Sequence, residues 1–343
     1  MQFICDKNTL LREIAIAQEI ISSRNALSIL SNVLLETEEN QLRIRATDLK
    51  VSFETVIPVH VVTPGSTTVF CDKFIGILRT FPEGEVTFEQ QESRLVIRPV
   101  DKKIDFQLKS IASDKFPELQ TISEDKFFEI EQSDIIEMIN QTIFAVSDDE
   151  TRYFMNGVYL EKQNSSLIMV ATDGRRLSFI QKNKEQETQE FSGIIIPTKI
   201  LNLVKKLASG EGTLTIAVSE KAIFFKFDNL QLSSNLIEGQ FPNYSRVIPD
   251  QQKSMITVEK KLLLEALKRV AVLVEQKSRR VYLSVVNNVM TLSSEESELG
   301  IAKEEILCEY EGEDANIALN YIYLEEPLKV MEWAMRIEEP KTY

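Results

Sequence analysis

The sequence is poor in the residues that do chemistry. It holds a single histidine, His60, so a Ser-His-Asp or Cys-His arrangement would have to be built on that one ring. His60 stands in the strand-like segment 56–62, where a surface position on a strand explains it better. The 3 cysteines (Cys5, Cys71, Cys308) are odd in number and widely spaced, which argues against a disulfide framework and a zinc site. They point to buried thiols in a reducing, cytoplasmic address. None of the 11 glycines forms a phosphate loop or a dinucleotide fingerprint. No stretch reaches the roughly 18 apolar residues of a membrane helix, and the start, MQFICDKNTLL, shows no secretory leader. Carboxylate runs such as Asp148-Asp149-Glu150 and Glu295-Glu296 offer acid/base pairs or magnesium ligands on paper. They fall at element ends, where solvated loop carboxylates are the ordinary case. The expectation is a protein with no catalytic residue, no metal and no cofactor.

Positive charge is scarce too. Lys and Arg number 39 against 53 Asp and Glu, a net charge of -14 and an isoelectric point near 4.8. Taken alone this opposes nucleic-acid binding, which wants a basic face. An average does not decide the matter, because a protein can be acidic outside and basic on one surface. At 343 residues, 43% hydrophobic and 27% charged, the chain suits two or three globular domains.

What is present is a repeat. Ala171-Thr172-Asp173 follows Ala46-Thr47-Asp48 by 125 positions. The same offset aligns Val158-Tyr159-Leu160-Glu161 with Val33-Leu34-Leu35-Glu36, and Phe241-Pro242 with Phe116-Pro117. A third copy is weaker but keeps the order of elements. Each copy opens with a helical apolar face: Leu10, Ile14, Ala17 and Ile21; then Ile135, Ile139, Thr142 and Val146; then Leu263, Leu267, Val270 and Val274. Asp134 and Glu137 suit a capping pair for the second of these.

Alternating strands follow over 42–46, 167–171 and 281–286, the last turning through Asn287-Asn288 into 290–292. Mid-copy helices are predicted over 73–81 and 198–208, each stopped by a glycine, with further strands at 85–88, 94–98, 213–217 and 222–227. The expected fold class is α+β with antiparallel sheet, in three repeated domains over 1–125, 126–252 and 253–343. Linkers are placed near 114–125 and 237–254.

Three strings give the repeat a relative. Arg152-Tyr153-Phe154-Met155-Asn156-Gly157, Ala171-Thr172-Asp173-Gly174-Arg175-Arg176-Leu177 and Phe241-Pro242-Asn243-Tyr244-Ser245-Arg246-Val247 resemble the bacterial DNA polymerase III beta subunit, the sliding-clamp family. The similarity runs from Met1 to about Met331. It implies clamp-type domains with helices inside and sheets outside, and a head-to-tail ring of two subunits with no free sheet edges. It implies a non-catalytic processivity factor that encircles duplex DNA. The implied partners are double-stranded DNA without regard to sequence, the replicative polymerase subunit, the clamp loader, other proteins with a clamp-binding motif, and a second copy; a membrane is not among them.

The resemblance also implies site residues. Arg24, Lys73, Tyr153 and Phe154 match DNA-contacting positions, and Lys199 and Lys205 join them on the helices beside Arg12, Arg79, Lys206, Lys260, Lys261, Lys268 and Arg269. Asp149 occupies a DNA-facing position where an uncharged polar residue is usual, and a carboxylate there opposes phosphate. The partner-peptide pocket would comprise Arg152, Met155, Thr172, Gly174, Arg175, Arg176, Leu177, Pro242, Arg246, Val247, Asn320 and Tyr323. Leu177, Pro242, Val247 and Met155 would form its apolar hollow, with Arg176, Arg246 and Thr172 as polar donors. At the ring joint, Ile77, Phe81, Phe106, Val272 and Leu273 would be the apolar anchors. There Glu304 and Glu305, on the strand 302–307, would face Lys102 and Lys103.

One departure stands out. The family continues past residue 331 through two more strands to a tail rich in methionine and proline, whereas here Glu332-Trp333-Ala334-Met335 leads to Tyr343. Part of the outer sheet and one pocket wall are expected to be missing or replaced. Two rival readings remain open from the residues alone: an acidic three-module interaction scaffold that never encircles DNA, and an enzyme using the carboxylate loops.

Overall fold

The computed structural model describes residues 1–21, 28–163, 165–183, 191–249, 254–331 and 335–337. It divides into two compact units. The first comprises 1–139, 159–167 and 182–239; the second comprises 140–158, 168–181 and 240–343.

The first unit is organised by one sheet of 13 strands. Its order is Phe128–Glu131, Thr213–Val218, Ala222–Phe227, Leu230–Asn235, Val51–Pro58, Gln41–Thr47, Asn32–Glu38, Gly65–Phe70, Phe106–Ile111, Arg94–Pro99, Glu85–Gln91, Gln2–Asp6 and His60–Thr63. The sheet passes from the second copy to the first where Leu230–Asn235 pairs antiparallel with Val51–Pro58, in register from Leu230↔Thr55 to Ser234↔Val51. That join puts backbone bonds where an open edge would otherwise lie. The Asn229 amide caps its end by donating to Thr55 Oγ1 at 2.7 Å.

Helices cover the sheet. Helix α1 (Lys7–Ile20) starts on Asp6, whose carboxylate accepts from the Thr9 N–H at 2.8 Å, a standard N-terminal cap. Its buried face runs through Leu10, Ile14, Ala17 and Ile20; Ile21, expected on that face, is the C-cap and only half-buried. Helix α2 (Cys71–Thr80) packs beside α1. Phe74 meets Phe88 edge-on at 5.9 Å, and Phe88 stacks on Phe3 at 4.7 Å. The boundary between the units crosses helix α3 (Gln132–Thr142), and α4 (Thr198–Leu207) lies in the first unit. Asp134 and Glu137 do not cap α3, which begins two residues before Asp134. Both carboxylates hold Lys182 instead, at 3.2 and 2.5 Å.

The second unit contains the third copy. A four-stranded sheet runs Lys303–Leu307, Val289–Ser294, Arg280–Val286, Ala315–Asn320, and a three-stranded one runs Glu309–Glu311, Met255–Val258, Met335–Ile337. Helices α5 (Lys260–Val270) and α6 (Ile322–Val330) complete it, with Leu263, Leu267, Leu283, Leu292 and Leu328 at the core. The Asn287-Asn288 turn has φ of 50° and 61°, the paired left-handed conformation of a tight hairpin. Of the segment that departs from the family's pattern, Met335–Ile337 pairs with Met255–Val258. Residues 332–334 and 338–343 lie outside the described ones. His60 is exposed on its strand and all three cysteines are buried. Among the described residues no group of His, Cys, Asp and Glu could hold a metal ion, and no helix is long and apolar enough to cross a membrane.

Candidate functional sites

The repeated Thr-Asp turn is the same device in both copies. In the second, Thr172 Oγ1 donates to the Arg176 carbonyl (2.6 Å) and accepts from Gly174 N–H (3.0 Å). Asp173 Oδ1 accepts from the N–H groups of Arg175 (2.8 Å) and Arg176 (3.0 Å). In the first, Thr47 Oγ1 donates to the Val51 carbonyl (3.0 Å) and accepts from Leu49 N–H (3.0 Å). Asp48 Oδ1 accepts from Lys50 (2.9 Å) and Val51 (2.7 Å). Threonine and aspartate are needed because their short polar side chains replace the backbone partners that a sharp bend removes. The third turn residue is left-handed in both, Gly174 at φ 84° and Leu49 at φ 73°.

The predicted pocket residues all lie in the second unit, which also holds the second-copy turn. Arg176 is its organising side chain, only 17% exposed. Its guanidinium reaches Asp173 Oδ2 (3.1 Å), Glu326 Oε2 on α6 (2.5 Å) and the Phe144 carbonyl (2.6 Å). It also lies over the rings of Tyr323 (4.8 Å) and Phe144 (5.6 Å). Sequence reasoning expected Arg176 and Thr172 to present donors to a partner. In the structure Thr172 bonds within the turn, and Arg176 bonds to the turn, to the Phe144 carbonyl and to Glu326 on α6.

Gly174 is required by contact as well as by φ. A Cβ there would sit 2.7 Å from Arg152 Nη1. Arg152 is held by Asp149, which accepts from its Nε at 3.0 Å. The ring of Tyr244 lies 5.8 Å from that of Phe179, bringing the segment with Pro242, Arg246 and Val247 beside the strand Leu177–Asn183. Val247 is 65% exposed. Leu177, Met155, Pro242, Asn320 and Tyr323 are half-buried, while Arg175 and Arg246 are exposed. This unit thus exposes apolar surface at Leu177, Met155, Pro242 and Val247, and arginine side chains at Arg175 and Arg246.

The expected DNA-facing residues have mixed placements. Lys73 on α2 is exposed and Lys205 on α4 half-buried. Lys199 spends its ammonium on Asp48 Oδ2 (2.6 Å) and the Ile20 carbonyl (2.9 Å), which ties α4 to the first-copy turn. Burial pushes the Asp48 carboxyl up, but the Lys199 ammonium and the N–H groups of Val51 and Lys50 outweigh it and hold its pKa below the ordinary value. Lys206 pairs with Glu19 and Arg12 with Glu13. Arg24 lies outside the described residues. Tyr153 is 53% exposed and meets Phe154 edge-on at 5.8 Å, on the 3-10 segment Glu150–Met155, which is kinked at Arg152. Asp149 caps that turn: its carboxylate accepts from Thr151 Oγ1, Thr151 N–H and Arg152, which together hold it below the usual carboxylate range. The residue that looked ill-suited to phosphate therefore has a local structural task, which its spacing from Thr151 and Arg152 could have signalled.

At the expected ring joint, Phe81 is buried with its ring 5.4 Å from that of Phe106, which is 39% exposed. Ile77 and Leu273 are half-buried, and Val272 is 78% exposed. Both carboxylate oxygens of Glu304 accept from the one guanidinium of Arg269 (2.8 and 2.5 Å), and Glu305 pairs with Lys303 (3.0 Å). Their charges are met within the chain.

Three consecutive segments match the three domains of one family. Residues 1–120 match the DNA polymerase III beta subunit N-terminal domain, 129–243 the central domain and 245–338 the C-terminal domain. The chain belongs to the DNA polymerase III beta subunit family. It is 48% identical to the beta sliding clamp of Treponema pallidum over 96% of this chain and 90% of that one. Its fold superposes on the DNA polymerase sliding clamp of Bacillus subtilis with a TM-score of 0.94 at 28% identity, covering 98% and 92% of the two chains. A Pseudomonas aeruginosa sliding clamp bound to griselimycin gives a TM-score of 0.92 at 28% identity, covering 99% and 93%. The α+β class, the three clamp domains and the non-catalytic sliding-clamp function expected from the sequence are those of the family. The enzyme reading falls with that assignment.

Proposed function

We propose that two copies of this chain close head to tail into a ring around duplex DNA and hold the replicative polymerase, the clamp loader and other motif-bearing proteins at the second-copy turn. The observation that carries the proposal is the join between the first two repeats within one chain, in which the strand Leu230–Asn235 pairs with Val51–Pro58. A head-to-tail join repeated with constant rotation must close or spiral, and closure leaves no edge exposed. The family relationship supports closure at six domains. Lys73 and Lys205 on the helices, with Tyr153 and Phe154, would touch phosphate and sugar without reading bases, which permits sliding. Phe106 and Val272 would meet across the joint between copies, with Ile77 and Leu273 at its margin.

The peptide site would use Leu177, Met155, Pro242 and Val247 as the hollow for an apolar anchor, with Asn320 and Tyr323 as its far side and Arg152, Arg175 and Arg246 as rim donors. Solution mass tests the ring: two chains are expected, and a monomer at micromolar concentration counts against it. A labelled peptide with leucine and phenylalanine anchors tests the site. It should bind the parent and lose at least tenfold affinity to Leu177→Asp, whereas unchanged binding would place it elsewhere. An acidic scaffold that never encircles DNA predicts peptide binding without topological retention on DNA.

A further inference from the structure

The turn that frames the proposed peptide site occurs twice, and its first occurrence also opens on a cavity. A hollow of about 860 Å³ lies beside Asp48, Lys50 and Val51, within the size range of ligand pockets, ~300–1,000 Å³. A smaller one of about 80 Å³ adjoins it, lined by Leu49, Thr47 and Pro117. Pro117 is the repeat counterpart of Pro242 and Lys50 that of Arg175. The walls are preformed, since Val51, Ile194 and Ile195 are buried in the fold.

Leu49 supplies a second, independent sign. It holds φ 73°, a conformation that costs a residue with a Cβ ~1 kcal/mol or more, and the second copy places glycine there. Its side chain is nevertheless 53% exposed, so folding recovers little from it. A strained leucine kept in the open is accounted for if something covers it.

The charges say what that something is. Lys199 is consumed by Asp48 and the Ile20 carbonyl. Lys50 and Lys221 on the lining are balanced by Glu220 and Glu238. A cavity whose lining charges cancel, and which includes the half-buried Pro197, Leu236 and Ile237, does not select a nucleotide or another polyanion. We propose that the first-copy turn forms a second docking site for a short extended peptide, with Leu49 and the aliphatic wall receiving its apolar anchor. This rests on the reading of the second-copy turn as a peptide site.

The test uses the full chain and a fluorescein-labelled hexapeptide carrying a leucine and a phenylalanine, followed by anisotropy with calorimetric stoichiometry. The parent should bind two peptides per chain and Leu177→Asp one. Adding Leu49→Gly should weaken the remaining site at least tenfold while leaving the melting temperature equal or higher, because glycine relieves the strain; a purely structural leucine would not separate those two readouts. One peptide on the parent and none on Leu177→Asp overturns the inference and leaves the second-copy site standing. Residual binding that Leu49→Gly does not touch also overturns it. No binding to the parent removes both.

Discussion

Replacing Arg176 with alanine would strand two carboxylates and a carbonyl at once. Asp173 and Glu326, whose side chains are 15% and 34% exposed, would lose their cation, and the Phe144 carbonyl would lose its donor. Breaking a buried ion pair from one side costs ~3–5 kcal/mol. Water reaches Glu326 and takes up part of that loss, so the expected destabilisation is ~2–4 kcal/mol. For a unit of this size that corresponds to a fall of about 5–15 °C in melting temperature. Circular dichroism melts and urea titrations would measure it, and Arg176→Lys should fall between parent and alanine because it keeps charge but not the forked geometry. The labelled peptide should lose affinity to the alanine variant, since the turn under Leu177 is no longer tied to α6. A melting temperature within ~2 °C of the parent, together with unchanged peptide binding, would refute the view that the site depends on Arg176 tying the turn to α6.

Asp48 sets a pH dependence. Its folded pKa is depressed, so the Lys199 pair contributes stability above the unfolded value near ~3.9 and loses it as pH falls through the folded value. The parent should therefore be more stable than Asp48→Asn at pH 7, with the gap closing below about pH 4; a gap independent of pH contradicts this. Gly174→Ala should cost ~1–2 kcal/mol from the left-handed φ and also displace Arg152, seen as a lower urea midpoint with weaker peptide binding. Lys73→Glu with Lys205→Glu should weaken DNA association and flatten its salt dependence by about two phosphate contacts, leaving peptide affinity unchanged.

The sequence carried the fold well because its information was periodic. The helical faces through Leu10, Ile14 and Ala17 and through Leu263, Leu267 and Val270 are buried where spacing placed them. The Thr-Asp repeat became two turns with the same four hydrogen bonds. Long-range pairing was less legible. Nothing local says that Lys182 would claim Asp134 and Glu137, that Glu326 would take Arg176 from 150 residues away, or that Arg269 would occupy Glu304. A charged residue reads as available in a sequence because its partner is invisible there. Arg176, Lys199 and Glu304 each have such a partner within the fold.

The measurement that bears most directly on a closed ring is retention on DNA of two topologies. With a clamp loader and ATP, the protein should remain on a closed circular duplex through a high-salt wash and be lost when the same duplex is cut once, because only threading resists both salt and dilution. Equal retention on the circular and linear forms would mean that contact rather than encirclement holds it.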